Sequence, residues 1–187
     1  MRENAKNEGN VLDKQELLHW VEMHDREYSF GIQKEKEIGD RLRLTKELIK
    51  SDLNEIIEWK FEGRRLEGRK RLELNRVANI DEQILKKVSN FVFNLDTNQD
   101  IYRIKLLCVF NGVGPAVAST ILTFFDPKNY GVFDLHVWQE IFHEKLSQYS
   151  FLNYLKLLSK LRKIAEDYGL QVRTVEKAYF KKNYDRK

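Results

Sequence analysis

Asp134 is followed two residues later by His136, and both stand at the front of an apolar run over 135–144 whose spacing predicts a helix. An aspartate just before a helix caps its first amides. Held at a cleft edge, the same carboxylate can stabilise a developing positive charge or orient a water. His136 fits a core or hydrogen-bonding role more readily than that of a proton shuttle. Upstream, Asp126 before Pro127 reads as the start of a turn; the alternative for it is a two-carboxylate metal site with Asp134. Lys128, six residues before Asp134, reads as a solvated loop lysine, though it could reach the same pocket.

A second chemistry is available to the backbone. The stretch "NGVGPAVAS", 111–119, sets Gly112 and Gly114 on either side of Val113 between two apolar runs. Glycines there let the chain take positive φ and turn sharply, while Val113 fills the gap between the flanking helices. Pro115 suits a first helical position, and small Ala118 lets the two helices approach. The amides at the start of the second helix, with the positive end of its dipole, form a ready phosphate site. A third candidate is "WKFEGRRLEGRKR", 59–71, where Lys60, Arg64, Arg65, Arg69, Lys70 and Arg71 outnumber Glu62 and Glu67. That excess favours phosphate contact, against the alternative of a solvated helix face. Trp20, Tyr28 and Trp59 could each stack on a flat ligand, and the sequence does not choose among them.

These residues need a rigid frame, and the composition predicts a helical one. Of 187 residues, 42% are hydrophobic and 33% charged, and only two are proline. The chain is long enough for a buried core in one domain. Helical spacing marks a segment opened by Asp13 and running to Tyr28, a second from Thr45 to Phe61, and a third after Asn79 with Ile84, Leu85, Val88, Phe91 and Val92 inward. Asp100 is placed as the cap of a helix over 101–110, followed after the turn by one over 115–125. A long helix over 151–168 has Leu152, Leu155, Leu158, Leu161 and Ile164 inward and stops at Gly169. A short last helix from Thr174 carries Lys177, Lys181 and Lys182. The stretch 29–40 shows no clear period and reads as a loop. The expectation is an all-α bundle of about eight helices, with a flexible tail over 1–12 and one domain over 13–187.

Composition also excludes. A single cysteine, Cys108, rules out an internal disulfide and a cysteine-ligated zinc or iron–sulfur centre, and it reads as a buried structural thiol. Net charge is only +4, so its distribution matters more than its sum. The first ten residues lack the apolar core of a signal peptide, and no apolar stretch is long enough to span a bilayer. A cytoplasmic protein is expected.

The segment "LLCVFNGVGPAVASTIL" and its continuation "FFDPKNYGVFDLHVW" resemble the helix-hairpin-helix DNA glycosylase superfamily of base excision repair. The likeness covers about 101–143: hairpin over 101–125, aspartate-bearing loop over 126–136. It implies two interlocking helical lobes, in a nucleoid-associated monomer, that bind double-stranded DNA carrying a damaged or modified base. By resemblance, Asp134 stabilises the sugar cation as the flipped base leaves, and Asn111, Gly112, Val113, Gly114 and Ala116 grip the strand, aided by Lys60, Arg64, Arg65 and Arg69. Trp20, Tyr28, Trp59 and His136 are candidates for the base pocket. Bifunctional members carry a lysine where this chain has Ala116, so a monofunctional activity leaving an abasic site is implied. An arginine common after the Asp–x–His segment is here Gln139. No iron–sulfur cluster or other cofactor is expected, nor a metal held by side chains, although the resemblance allows a monovalent cation at the hairpin carbonyls. The alternative is a non-catalytic duplex-DNA binder that has kept the hairpin.

Overall fold

Asp13 opens the first helix as its position predicts. Its carboxylate accepts from the Glu16 amide at 2.9 Å, and the Glu16 carboxylate accepts in return from the Asp13 amide at 3.1 Å. The computed structural model describes residues 12–62, 66–96 and 98–186, and these hold ten helices and no strand. They are α1 (Lys14–Glu27), α2 (Ser29–Thr45), α3 (Lys50–Lys60), α4 (Glu67–Val77) and α5 (Glu82–Phe93). The second half holds α6 (Asp100–Leu107), α7 (Pro115–Phe125), α8 (Leu135–Phe142), α9 (Phe151–Tyr168) and α10 (Val172–Tyr184).

The core forms around α7, in which every residue from Val117 to Phe125 is buried. Helices α2, α3 and α6 pack on it, while α10 lies against α1, α8 and α9. Leu12 belongs to this core, and its amide donates to the Tyr179 hydroxyl at 3.3 Å. The tail expected over 1–12 is therefore anchored at its last residue; 1–11 lie outside the described residues.

Two helices account for the difference between eight and ten. The stretch 29–40, expected to be a loop, is most of α2. Its inward face is Glu35, Ile38, Gly39 and Leu42, so a charge and a glycine occupy positions where an apolar stripe would have revealed the period. Glu35 is buried because its carboxylate takes both prongs of Arg173 on α10, at 2.9 and 2.8 Å. Gly39 lies at a close crossing, where an added Cβ would sit 2.4 Å from the Phe124 carbonyl oxygen of α7. Helix α4 is hidden for a similar reason: its buried positions are Glu73 and Val77.

Smaller corrections follow from packing. Helix α3 begins at Lys50 rather than Thr45, which instead ends α2. On α5 the inward residues are Leu85, Ser89, Val92 and Phe93, whereas Ile84 and Phe91 face solvent. Leu152, expected inward on α9, is 76% exposed in its first turn. Asp100 does not cap α6, whose N-cap is Gln99. Its carboxylate instead pairs with Arg162 at 2.5 and 3.0 Å and accepts from the Tyr130 hydroxyl at 2.6 Å. Helix α10 is longer than predicted, and Lys181 and Lys182 are buried in ion pairs with Glu27, Asp185 and Glu140. Cys108 is half-buried, and burial pushes its thiol up to about 12, which fits a structural thiol.

The α1–α10 contact carries a pH dependence. His24 is 5% exposed, and burial, then the nearby Arg173 charge and that of Lys177, push its imidazole down to about 4 despite the Asp25 carboxylate at 2.9 Å. The unfolded chain therefore takes up a proton near pH 6.5 that the folded chain refuses until about 4. Stability should fall as pH drops through that window, by about 3 kcal/mol in total. Urea unfolding at pH 7, 5 and 4 checks this by comparing wild type with His24→Phe. The variant should lose distinctly less; parallel losses refute the assignment.

Candidate active site at the head of α8

The loop between α7 and α8 is held from several sides. Asp126 opens it as a turn: its two carboxylate oxygens accept from the Asn129 amide at 3.3 Å and the Asn129 side chain at 2.8 Å. The carbonyls of Pro127 and Lys128 accept from Arg173 and Val172 amides at the start of α10. Arg162 of α9 donates to the Asn129 carbonyl at 2.9 Å, and the Tyr154 hydroxyl to that of Gly131 at 3.1 Å. Next, the Phe133 amide donates to Ser119 Oγ at 2.9 Å, and the same hydroxyl donates to the Ala116 carbonyl at 2.7 Å. Ser119 thus ties the end of the loop to the first turn of α7.

Asp134 emerges from this clamp as the N-cap of α8. Its Oδ1 accepts from the His136 amide at 2.8 Å, and its Oδ2 receives Lys60 Nζ from the end of α3 at 2.8 Å. The aspartate side chain is 17% exposed and the lysine 9%, so the pair lies at the edge of the solvent-accessible surface. Burial alone would raise the Asp134 carboxyl, but the Lys60 charge and hydrogen bond, with the His136 amide, hold it below the usual carboxylate value. An ionised carboxylate and a primary amine therefore share one site.

The turn preceding α7 is built largely as its sequence predicts. Gly112 takes φ +88° and Val113 is buried. Pro115 begins α7, and no side chain caps the helix, so its first-turn amides are left to another partner. Gly114 departs from expectation: it is the extended N-cap, with φ −84° and ψ 177°. Asn111 and Gly114 are exposed and Ala116 is half-buried beside them.

The basic stretch divides. Arg64 and Arg65 lie outside the described residues, and Lys60 is engaged with Asp134 rather than offered to solvent. Arg69 projects from α4, 56% exposed, and pairs with buried Glu73 at 2.5 Å. Arg76 contacts the same carboxylate at 3.1 Å. This flank of α4 touches the turn, since a Cβ on Gly112 would meet Arg76 Cβ and Val77 Cγ1. Leu72, Asn75, Arg76, Asn79, Ile80 and Asn111 line a groove of about 350 Å³ there.

Among the aromatic candidates, His136 and Tyr28 are brought to one cluster. Both rings contact Phe180 edge-on, at 5.6 and 6.1 Å. His136 also meets Tyr184 at 5.4 Å and its Nδ1 bonds Asn183 Oδ1 at 2.9 Å, so it faces α10. Trp59 is withdrawn into packing: its indole donates to the Gly31 carbonyl at 3.0 Å and its ring abuts Phe124 at 4.9 Å. Trp20 packs beside the core with an edge contact to His19. Lys128 is exposed.

Four residues were not singled out from the sequence. Arg76 shares a helical face with Arg69 and Glu73, a spacing that was available. Phe180 and Tyr184 stack on each other one turn apart on α10, also at a readable spacing, with Tyr184 48% exposed. Tyr149 comes from an irregular segment with no such signal; it is exposed and packs edge-on against Phe133 at 4.9 Å. Partial burial of the ring against its neighbours, then the charge of Asp134, push its phenol up, so it stays neutral beside the carboxylate. Among the described residues, no group of three or more His, Cys, Asp or Glu side chains could hold a metal ion, and no helix is long and apolar enough to cross a membrane. No protein-family model, no curated protein and no solved structure matches this chain.

Proposed function

We propose that this chain is a DNA glycosylase, in which α6, the turn at 108–114 and α7 form a helix-hairpin-helix that grips one strand of duplex DNA. In this reading Asp134 acts on the sugar of a nucleotide flipped out beside it, within two interlocking helical lobes. The observation that carries it is the ionised Asp134 carboxylate at the accessible head of α8, fixed to the first turn of α7 through Ser119. Breaking an N-glycosidic bond builds positive charge at C1′, and a carboxylate fixed in advance stabilises that charge without reorganising. The same oxygen can orient the attacking water. Flipping costs least for a base that is damaged or mispaired. Exposed Tyr184 and Tyr149 offer π-faces near the head of α8 for the extruded base.

The test is a mass-spectrometric search for free bases released from duplexes carrying a panel of alkylated, oxidised and deaminated bases. Release of at least one, above an enzyme-free control, supports the proposal. Release of none from any duplex sinks it.

A second reading, duplex binding without base release, is favoured by the uncapped amides of α7 beside exposed Arg69 and Arg76. Both readings predict that Arg69→Gln weakens duplex binding uniformly across sequences. The slope of log affinity against log salt should become shallower by about 1. Glu73 keeps Arg76 in this variant, so the fold is spared. Titrations from 50 mM salt upward by fluorescence anisotropy check this, and an unchanged slope removes Arg69 from the interface.

A further inference from the structure

Helices α5 and α6 carry more apolar surface than their packing uses. Ile84, Val88 and Phe91 recur on α5, and Tyr102, Leu106 and Val109 recur along α6 and the turn after it. Both sets follow i, i+4, i+7, the spacing of one helical face. Val88 and Leu106 are half-buried against the core, whereas Ile84, Phe91, Tyr102 and Val109 are 54% to 64% exposed. The two helices pack on each other, and the short connection over 94–99 reverses the chain between them. Antiparallel packing sets Phe91 level with Tyr102 and Ile84 level with Val109, so the two stripes line one apolar trough on the outside of the molecule. Apolar side chains scattered singly on a surface are ordinary, but a continuous patch marks a binding face.

The charges of this helix pair leave one sign over. On α5, Glu82 lies 3.9 Å from Lys86. On α6, Asp100 is paired with Arg162, and Arg103 is buried. Lys87 and Lys105 remain: both are exposed, and neither has an ion-pair partner among the described residues. Lys87 stands within one turn of both Ile84 and Phe91, and Lys105 within one turn of both Tyr102 and Val109. The trough is therefore rimmed by positive charge on both helices.

We propose that this face docks an acidic amphipathic helix of a partner protein, its apolar side in the trough and its carboxylates against Lys87 and Lys105. Helices that lie in apolar grooves present anchors at i, i+3, i+4 and i+7, the pattern that two parallel ridges of this kind receive. Helix α5 has 12 residues. At 1.5 Å per residue that is about 18 Å, which a partner helix of about three turns covers. A second copy docked face to face would set lysines against lysines. Duplex DNA would pair with the lysines but leave the apolar side chains uncovered, since interfaces with DNA are polar. Neither Asp134 nor the uncapped amides of α7 take part, so the docking stands apart from the glycosylase reading.

The test uses the full chain and three designed, fluorescein-labelled helical peptides of about 15 residues, with binding followed by fluorescence anisotropy. The first carries leucines at i, i+3, i+4 and i+7 with glutamates on both flanks. The second has lysines in place of the glutamates. The third keeps the composition of the first but spreads its leucines around the helix. The glutamate-flanked peptide should bind at least about tenfold more tightly than either control. Phe91→Ser combined with Tyr102→Ser should weaken it at least about tenfold, at an unchanged melting temperature because both side chains lie mostly in solvent. Lys87→Glu combined with Lys105→Glu should turn the preference toward the lysine-flanked peptide. Should the serine variant lose its fold, the charge reversal alone decides. Equal binding of the two flanked peptides, binding of none, or a preference that survives charge reversal overturns the proposal. A dimer in sedimentation that the serine variant splits overturns it too and gives the face to a second copy. So does flotation of the wild type, but not of the charge-reversed variant, with phosphatidylserine vesicles, which gives the face to a membrane.

Discussion

Asp134→Asn should abolish base release and spare most of the fold. The amide matches the carboxylate in size, and its oxygen can still accept from the His136 amide, so α8 keeps its cap. What disappears is the negative charge that the proposed function sets against C1′. Losing one preorganised group that stabilises transition-state charge costs on the order of 100- to 1000-fold in rate, and a full carboxylate belongs at or beyond the upper end. A cost to stability comes from Lys60, whose ammonium is left without its counter-charge at a site only 9% exposed. Removing one partner of a fully buried pair costs about 3–5 kcal/mol, and solvent at this edge reduces that to about 1–3 kcal/mol. The melting temperature should therefore drop by about 2–10 °C. Single-turnover base release and thermal unfolding on the same preparation separate the two effects. A variant that keeps more than a tenth of the wild-type rate would show that the carboxylate is only a cap.

The acid limb of the same reaction follows from the electrostatics. Burial opposes the charge on Asp134, but Lys60 and the His136 amide overcome it and hold the carboxyl below 3.8. The ionised form that the proposed reaction requires thus persists as pH falls through the ordinary carboxylate range. Asp134 also contributes stability above its unfolded value, and that contribution is lost only as pH falls through its lower folded value.

How much of this was written locally in the chain depends on the element. The helix at Pro115–Phe125, the turn before it and the cap at Asp134 are set by residues within a few positions of each other, and they appear where the sequence puts them. The two missed helices fail for one shared physical reason. Their buried faces carry Glu35, Gly39 and Glu73, whose place in the interior depends on Arg173, Phe124 and the arginines of α4. Periodicity registers apolar residues, so a helix whose inward face is a paired charge or a close-contact glycine gives no stripe. Lys60 shows the same limit at the site. It was legible as one cation in a basic run, and nothing local says that its partner lies 74 residues away.

Gly112→Ala should be the most damaging single-methyl change at the turn, and Gly114→Ala two residues on should be nearly silent for stability. Gly112 sits at φ +88°, where a residue with a Cβ pays about 1–2 kcal/mol. The new methyl would also lie 2.8 Å from Val77 Cγ1, 2.9 Å from Arg76 Cβ and 3.1 Å from the Glu73 carbonyl oxygen. Two of these neighbours are helix side chains close to the backbone and the third is backbone itself, so α4 must shift as a body. Overpacking of that kind adds about 1–3 kcal/mol, for a total of about 2–5 kcal/mol and a melting drop of about 5–15 °C. Gly114 has ordinary φ and nothing within 4 Å of an added Cβ, so alanine there should cost under about 1 kcal/mol. In the proposed grip, the open space at Gly114 lets a phosphate reach the uncapped amides of α7. Its methyl should therefore weaken duplex binding at unchanged stability, while Gly112→Ala loosens the contact between the turn and α4. Melting curves and anisotropy titrations on both variants test the division. A Gly112→Ala melting point within about 2 °C of wild type, or Gly114→Ala binding as tight as wild type, would show that the two glycines do not share the work in this way.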